Sequence, residues 1–445
     1  MKVTFVVPAI GKKPGEGYIG TWKMQPLPIA TLQALTPPDV ETELFDDRIE
    51  LIDYDTPTDL VAIPTETYTA RRAYDIAAKF RERGVPVVLG GYHATLAPQE
   101  ASQYADAIVT GNAEELWGGL LEDVRAERLK SRYDGGTNPT GVAKLPDRRI
   151  FEGKKYLPVG LVETGRGCGY SCEFCAIAGY YNARYHPRAI DAIVADVKAS
   201  KQKMFFFVDD NLVADPAHVR ELCRRLKPLN VLWAAQGTLT MAKDPELLAD
   251  MKAAGCELIL IGFESVDPDT LAAMGKRWSS ALGEREELVK RIHDAGIGIY
   301  ATFVFGYDGD TRDTFAGTLD FARGSAFHSA AFNHLLPFPG TRLYKRFERE
   351  GRLLSPTWWL DKDYRYGQLA FRPANFEPEE MAELCLRARQ EFAAPLVAGK
   401  RSIAALRRGR LKAFPIFWAM NSWLGREVND KFDVPLAQHL DELPK

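Results

Sequence analysis

Glu163-Thr-Gly-Arg-Gly-Cys168-Gly-Tyr-Ser-Cys172-Glu-Phe-Cys175 is the stretch on which the reading of this chain turns. Three thiolates within eight residues can ligate three irons of one [4Fe–4S] cluster, since such clusters are held by cysteine sulfur at short loop spacings. No fourth cysteine lies nearby: Cys223 and Cys256 are far along the chain and read as parts of a helix and of a turn before a strand. A cluster with three protein ligands keeps one iron open to bind something else. The rival reading is a structural zinc site, which takes four Cys or His ligands, usually as two separated pairs. His186 is a candidate fourth ligand, but no second pair exists, and the spacing disfavours zinc. A disulfide framework fits less well still, because the cysteines are few and the chain is long.

Outward from the cysteines, 445 residues predict two or three domains, each with an ordinary core. Hydrophobic content of 46% and charged content of 26% are those of a soluble globular protein. With 57 basic and 60 acidic residues and a net charge of −3, composition gives nucleic acid no bulk electrostatic attraction. Six cysteines, three of them committed to a cluster, fit a reducing cytosol, so a cytoplasmic location is expected. Met1-Lys-Val-Thr-Phe-Val-Val-Pro8 reads as a first β-strand rather than a signal peptide. No stretch reaches the roughly 20 apolar residues that span a bilayer, so no stable membrane insertion is expected.

Residues 1–125 alternate strand and helix. Val3–Val7, Asp59–Pro64, Val85–Gly91 and Ala105–Gly111 are short apolar runs, and Tyr68–Arg83 places Ala70, Tyr74, Ile76, Ala77 and Phe80 near one helical face. That pattern predicts an α/β doubly wound parallel sheet with ligands at the carboxyl ends of its strands. Residues 126–157 read as a turn-rich linker containing Gly135–Gly141 and Pro146–Arg149. Across 158–343 the alternation resumes with Val159–Val162, Met204–Val208, Val231–Ala235, Cys256–Gly262, Ile297–Phe305 and Ala331–Leu336, which predicts a partial TIM-like barrel with its chemistry at the C-terminal strand ends. Residues 344–445 read as a mostly helical cap. Within it, the aromatic stretch Thr357–Tyr366 is expected to line the substrate cavity or form a lid. The basic run Arg401–Lys412 with Phe414–Met420 reads either as a membrane-surface segment or, preferably, as a packed cap.

The cysteine spacing resembles the CxxxCxxC signature of the radical S-adenosylmethionine (SAM) superfamily, including an aromatic residue, Phe174, just before the third cysteine. The resemblance implies that the open iron binds the amino and carboxylate groups of SAM. It further implies that the reduced cluster cleaves SAM to methionine and a 5′-deoxyadenosyl radical, with Phe174 beside the adenine. A second resemblance lies in Val87–Pro98 and Ala105–Glu115, which are similar to the cobalamin-binding domain that precedes the barrel in one large subclass. The loop Pro8–Gly17 lacks the DxHxxG motif that supplies a cobalt-binding histidine, but many members bind cobalamin without it, so cobalamin stays an open possibility. Glu66 is expected near the cobalt's lower face, and His93 reads as a partly buried turn histidine.

At the barrel mouth, Asp209 and Asp210 stand where the family carries a Gly-Gly-Glu-like segment that contacts the SAM amino group, and a helix N-cap is the alternative use for Asp210 or Asn211. Gln236, at the end of the third strand, suits a hydrogen bond to substrate or SAM. By resemblance Glu264 and Ser265 reach the SAM ribose and carboxylate; an ion pair with Lys276 or Arg277 is the competing use of Glu264. Gly306 matches the central glycine of the GxIxGxxE motif that packs along the adenine. His334 reads as a structural histidine ahead of a general acid or base. Arg166 is read equally as a SAM or cluster contact and as a surface pair.

The expected activity is abstraction of hydrogen from a hydroxylated small molecule. The polar mouth (Asp209, Asp210, Gln236, Glu264, Asp308, Asn333) points to radical diol dehydration or deoxygenation of an aminoglycoside-type sugar in natural-product biosynthesis. The alternatives are a cobalamin-dependent C-methyltransferase, an RNA- or peptide-modifying radical enzyme, and a sensor without turnover. The partners expected are a small-molecule substrate, an electron donor such as flavodoxin or ferredoxin, and a downstream reductase.

Overall fold

The computed structural model describes residues 1–137, 144–407 and 414–442. Parts of the expected linker (Gly135–Gly141) and of the basic run Arg401–Lys412 lie outside the described residues. The N-terminal sheet has six parallel strands: β1 (Lys2–Val7), β2 (Glu41–Asp46), β3 (Leu60–Pro64), β4 (Val87–Gly90), β5 (Ala107–Thr110) and β6 (Arg132–Asp134), in the order β2-β1-β3-β4-β5-β6. Period-2 alternation sends Val3, Phe5 and Val7 to one face and Val6 to the other, and both faces are covered. The four central strands carry the apolar runs; the unforeseen strands, β2 and β6, are the two edges. Half-exposed edges such as Glu41-Thr-Glu-Leu-Phe-Asp46 do not read as continuous hydrophobic runs.

The stretch 126–157 is not a free linker. It supplies edge strand β6 and the buried Phe151, and Arg148 reaches across to Asp196 at 2.6 Å.

The second sheet comprises β7 (Gly160–Val162), β10 (Met204–Phe207), β11 (Leu232–Gly237), β12 (Cys256–Glu264), β13 (Gly298–Phe305) and β14 (Ser329–His334). These six lie in the order β14-β13-β12-β11-β10-β7, all parallel, which is the expected partial barrel. Between β7 and β10 a small hairpin pairs β8 (Gly165–Gly167) with β9 (Tyr185–Pro187). Trp233, Ala235, Ile299 and Ala301 face the outer helices and form the main core. The half-buried Ala234, Gln236, Tyr300 and Thr302 alternate with them and face the lumen.

The C-terminal region holds helices Pro378–Ala393, Pro395–Arg407 and Phe414–Lys431, and its last residues fold back onto the N-terminal domain. Here β15 (Arg365–Tyr366) pairs antiparallel with β16 (Val434–Pro435), and buried Arg72 joins Asp47 at 2.8 Å to Asp441 at 2.6 Å.

In the aromatic stretch expected to line the substrate cavity or form a lid, the two tryptophans are instead an internal buttress. Trp358 and Trp359 are 1% and 2% exposed and belong to the core of the N-terminal sheet. Trp358 donates to Pro337 O at 3.1 Å and Trp359 to Glu100 at 2.9 Å. Large indoles with satisfied N–H groups bury more surface than any loop contact, so they are drawn into the junction rather than left mobile. Trp359→Ala is expected to destabilise the protein by about 3–5 kcal/mol, read as a lowered denaturant midpoint.

Candidate active site

The cysteine loop is closed at its base by the β8–β9 hairpin, where Gly167 pairs with Tyr185. Gly167 has φ +83, and a Cβ there would fall 2.1 Å from Arg184 O, so only glycine permits this closure. Cys168, Cys172 and Cys175 are partly exposed free thiols. Burial raises all three thiol pKa values, Cys175 to about 11. Such thiols stay protonated until a metal displaces the protons.

Among the described residues no three His, Cys, Asp or Glu side chains converge as a single-ion site requires. A cubane assigns each thiolate to its own iron and needs no such convergence. The donor set of three unpaired thiols on one pinned loop therefore fits a cluster. Glu173 N donates to Met274 O at 3.0 Å, and Leu343 N donates to Glu173 O at 3.2 Å, so the loop is held from two sides. Phe174 packs on the barrel core.

The two aspartates after β10 take up roles the sequence did not reveal. Asp209 is fully buried beneath the loop rather than at the mouth. Its Oδ1 accepts from Thr164 N at 3.1 Å and Thr164 Oγ1 at 2.7 Å, while Oδ2 is buried without a partner. This desolvation pushes its pKa up to about 8. Asp210 Oδ2 accepts from Gly167 N at 2.8 Å, and burial lifts its pKa to about 6. Both carboxylates tie β10 to the segment that leads into Cys168. Asp210→Ala is expected to weaken iron retention about 10- to 100-fold without unfolding the protein, checked by iron content after desalting.

Glu264 lies at a register shift in β12 with φ +63, a left-handed conformation that non-glycine residues rarely adopt. Such outliers collect at functional sites. Its carboxylate is committed: Lys276 Nζ stands 2.9 Å from Glu264 Oε1 and 2.7 Å from Gly262 O. The buried Ser265 hydroxyl accepts from Asp267 N at 3.1 Å and serves a turn, not an open face. Gly306 N donates to Asp310 Oδ2 at 2.7 Å, and a Cβ there would meet the Phe371 ring at 2.7 Å. Gln236 faces the lumen with no side-chain partner among the described residues.

Other members of the expected polar mouth are taken by residues distant in sequence. Asp308 pairs with Arg352 at 2.7 Å, and Asn333 accepts from Arg389 at 2.9 Å. The His334 ring lies between the carbonyls of Leu335 and Gly367, and burial lowers its pKa to about 4. Arg166 is a largely buried pair rather than a surface one, and it borders the space between the two sheets. It joins Glu163 at 2.8 Å and Glu114 at 2.5 Å, linking the cysteine loop to the N-terminal domain. His93 is fully buried in a short helix against Tyr74, Thr67 and Glu100.

A cavity of about 510 Å³ lies between the two sheets. It is bounded by Pro64, Gly90 and Gly111 at strand ends of the first sheet and by Leu161, Tyr181 and Val208 from the barrel side. Glu66 is exposed to this cavity, and the protein packed around it lifts its pKa to about 7. Glu66 is legible in the sequence, whereas Tyr180 and Tyr181, just beyond the cysteines, show no periodic signal.

Comparison with known proteins agrees with this geometry. The chain is 29% identical over 372 residues to bacteriochlorophyllide d C-8(2)-methyltransferase of Chlorobaculum tepidum, covering 79% of this chain and 81% of that one. It is 29% identical over 379 residues to bacteriochlorophyllide d C-12(1)-methyltransferase of the same organism, covering 83% and 80%. Its fold is similar to that of TsrM, a radical S-adenosylmethionine methyltransferase from Kitasatospora setae solved with cobalamin and a [4Fe–4S] cluster, with a TM-score of 0.64, 19% identity and 78% of each chain covered. Residues 162–322 match the radical SAM superfamily, and this span runs from the end of β7 through the cysteine loop and β13. The sequence match lies over the same barrel strands and loop that the geometry singles out, so residues 162–322 form a radical SAM domain, which implies a [4Fe–4S] cluster and SAM.

Proposed function

We propose that this chain is a cobalamin-dependent radical SAM C-methyltransferase acting on an apolar, ring-built small molecule. The observation that carries the reading is the cavity between the sheets, which reaches from the strand ends of the N-terminal domain to the barrel entrance beside the cysteine loop. Its walls are largely apolar, through Phe5, Ile29, Ile63, Val88 and Val109, and glycines at the strand ends let a flat macrocycle approach the backbone. None of the residues lining it is a histidine, which suits a corrinoid held without a histidine ligand. When bound, cluster and SAM supply radical chemistry and the corrinoid a methyl carrier.

The chain's own residues hold and orient these groups. Cys168, Cys172 and Cys175 would ligate the cluster, and Asp209 and Asp210 set the loop that carries them. Phe174 and the backbone at Gly306 are the candidates to border SAM. Glu264 would serve SAM only through the field of its pair with Lys276. Glu66, with its pKa near 7, can present a neutral carboxyl to the cavity. Gln236 is the lumen amide free to orient a substrate, and the apolar walls exclude water.

Radical dehydration of a sugar has weaker support. Of the polar groups that suggested it, all but Gln236 are engaged by other side chains or by the backbone, and both Chlorobaculum tepidum relatives are named as methyltransferases. The test uses SAM labelled with deuterium in its methyl group and bacteriochlorophyllide d as the probe. A product carrying the labelled methyl, with S-adenosylhomocysteine, is expected. SAM cleavage that yields 5′-deoxyadenosine without S-adenosylhomocysteine, together with loss of water from a diol sugar, would overturn the reading.

A further inference from the structure

The helix Arg342–Arg349, Arg-Leu-Tyr-Lys-Arg-Phe-Glu-Arg, follows the last barrel strand and is capped by Thr341, which accepts from Tyr344 N at 3.1 Å. Leu343 and Phe347 are fully buried in the barrel core. Arg342, Lys345, Arg346 and Arg349 fall at i, i+3, i+4 and i+7 and form one outward cationic face.

That face borders the cysteine loop directly. Arg342 donates to Ser171 O, and Arg346 Nε stands 2.8 Å from Glu173 Oε1, so the residues on both sides of Cys172 touch this helix. Between helix and loop lies a recess of about 760 Å³, whose other walls include Ala272, Ala273 and Gly275. The acids within it are Glu173, already held by Arg346, and Glu348; Asp308 and Glu350 also stand 3.6 and 3.8 Å from Arg346 Nη1, so Arg346 is neutralised and the face's charge rests on Arg342, Lys345 and Arg349. Lys345 and Arg349 are exposed and form no ion pair among the described residues. In a chain of net charge −3, this is a local concentration of positive charge.

Reductive cleavage of SAM needs one electron from outside the chain. The remaining cysteines, Cys223, Cys256 and Cys385, are each buried in the core. Electron transfer requires a short path, and the helix face adjoins the outer side of the loop that would carry the cluster. We propose that the cationic face of Arg342–Arg349, with the recess beside Ser171–Glu173, is the docking surface for an acidic one-electron carrier protein. The carrier would lose one electron and the cluster gain it, with no proton moved. This inference rests on the radical SAM reading and adds to it the place and charge of the reducing partner. Complementary charge of this kind acts mainly on encounter rate and falls with salt.

The test measures 5′-deoxyadenosine formation by the cluster-reconstituted full chain, driven either by photoreduced flavodoxin or by dithionite. Lys345→Glu/Arg349→Glu is expected to lower flavodoxin-driven kcat/KM at low salt by at least about tenfold, while the dithionite-driven rate stays within about twofold. Lys345→Gln/Arg349→Gln should fall between this variant and the unaltered chain, and the differences should shrink as salt rises. An unchanged flavodoxin-driven rate, or an equal loss with both reductants, would overturn the docking surface. Failure of the unaltered enzyme to cleave SAM with dithionite would overturn the proposed function itself, and the docking surface with it.

Discussion

Cys172→Ala is expected to remove cluster binding and to lower SAM cleavage by at least about three orders of magnitude, because three thiolates are the minimum that leaves one iron open yet holds the cubane. The loop is pinned by backbone contacts at Gly167, Glu173 and Leu343 rather than by packing of Cys172 itself, which is only partly buried. Far-ultraviolet circular dichroism and the thermal midpoint of the apoprotein should therefore change little, while iron content after reconstitution falls. A parallel Cys223→Ala change separates ligation from mere loss of a thiol: Cys223 sits in the barrel core, so its loss should lower stability modestly and leave iron content intact.

The second large effect is expected at Lys276. Its ammonium is buried against the Glu264 carboxylate at 2.9 Å and the Gly262 carbonyl at 2.7 Å, with side-chain exposures of 7% and 10% for the ion pair. Lys276→Met leaves a buried carboxylate without its counter-charge at a strained position, a loss of about 3–5 kcal/mol. Glu264→Gln added to this variant removes the orphan charge and should restore much of the stability. A double-mutant cycle in urea reads both numbers. If the single and double variants are equally unstable, the pair is not what holds this end of β12.

Four of the six strands in the first sheet were legible because they are central, parallel and buried, and the six barrel strands because each buries an apolar face against the outer helices, so each reads as a short apolar run. The edge strands β2 and β6 were not, since one side of each meets solvent. The cysteine motif was legible because cluster ligation fixes the residue type and spacing within a single loop.

The surroundings of that motif were harder. Asp209 and Asp210 were visible as costly carboxylates after an apolar run, but not whether they faced a ligand or the backbone of a neighbouring loop. Asp308 and Asn333 lost their apparent freedom to Arg352 and Arg389, partners that the fold brings together and no local pattern announces. Trp358 and Trp359 carried the same ambiguity: aromatic density marks a large burial, and only the fold says what is buried. The cationic face of Arg342–Arg349 had a readable i, i+3, i+4, i+7 signature, whose meaning depended on the loop it borders.

The most direct test of the account is metal content. Protein purified without oxygen in the presence of hydroxocobalamin, then reconstituted with iron and sulfide and desalted, is analysed for iron and cobalt. About four irons and near-stoichiometric cobalt per chain are expected. Iron at that level without cobalt would contradict the cobalamin-dependent reading, and absence of iron would contradict the assignment of the cysteine loop.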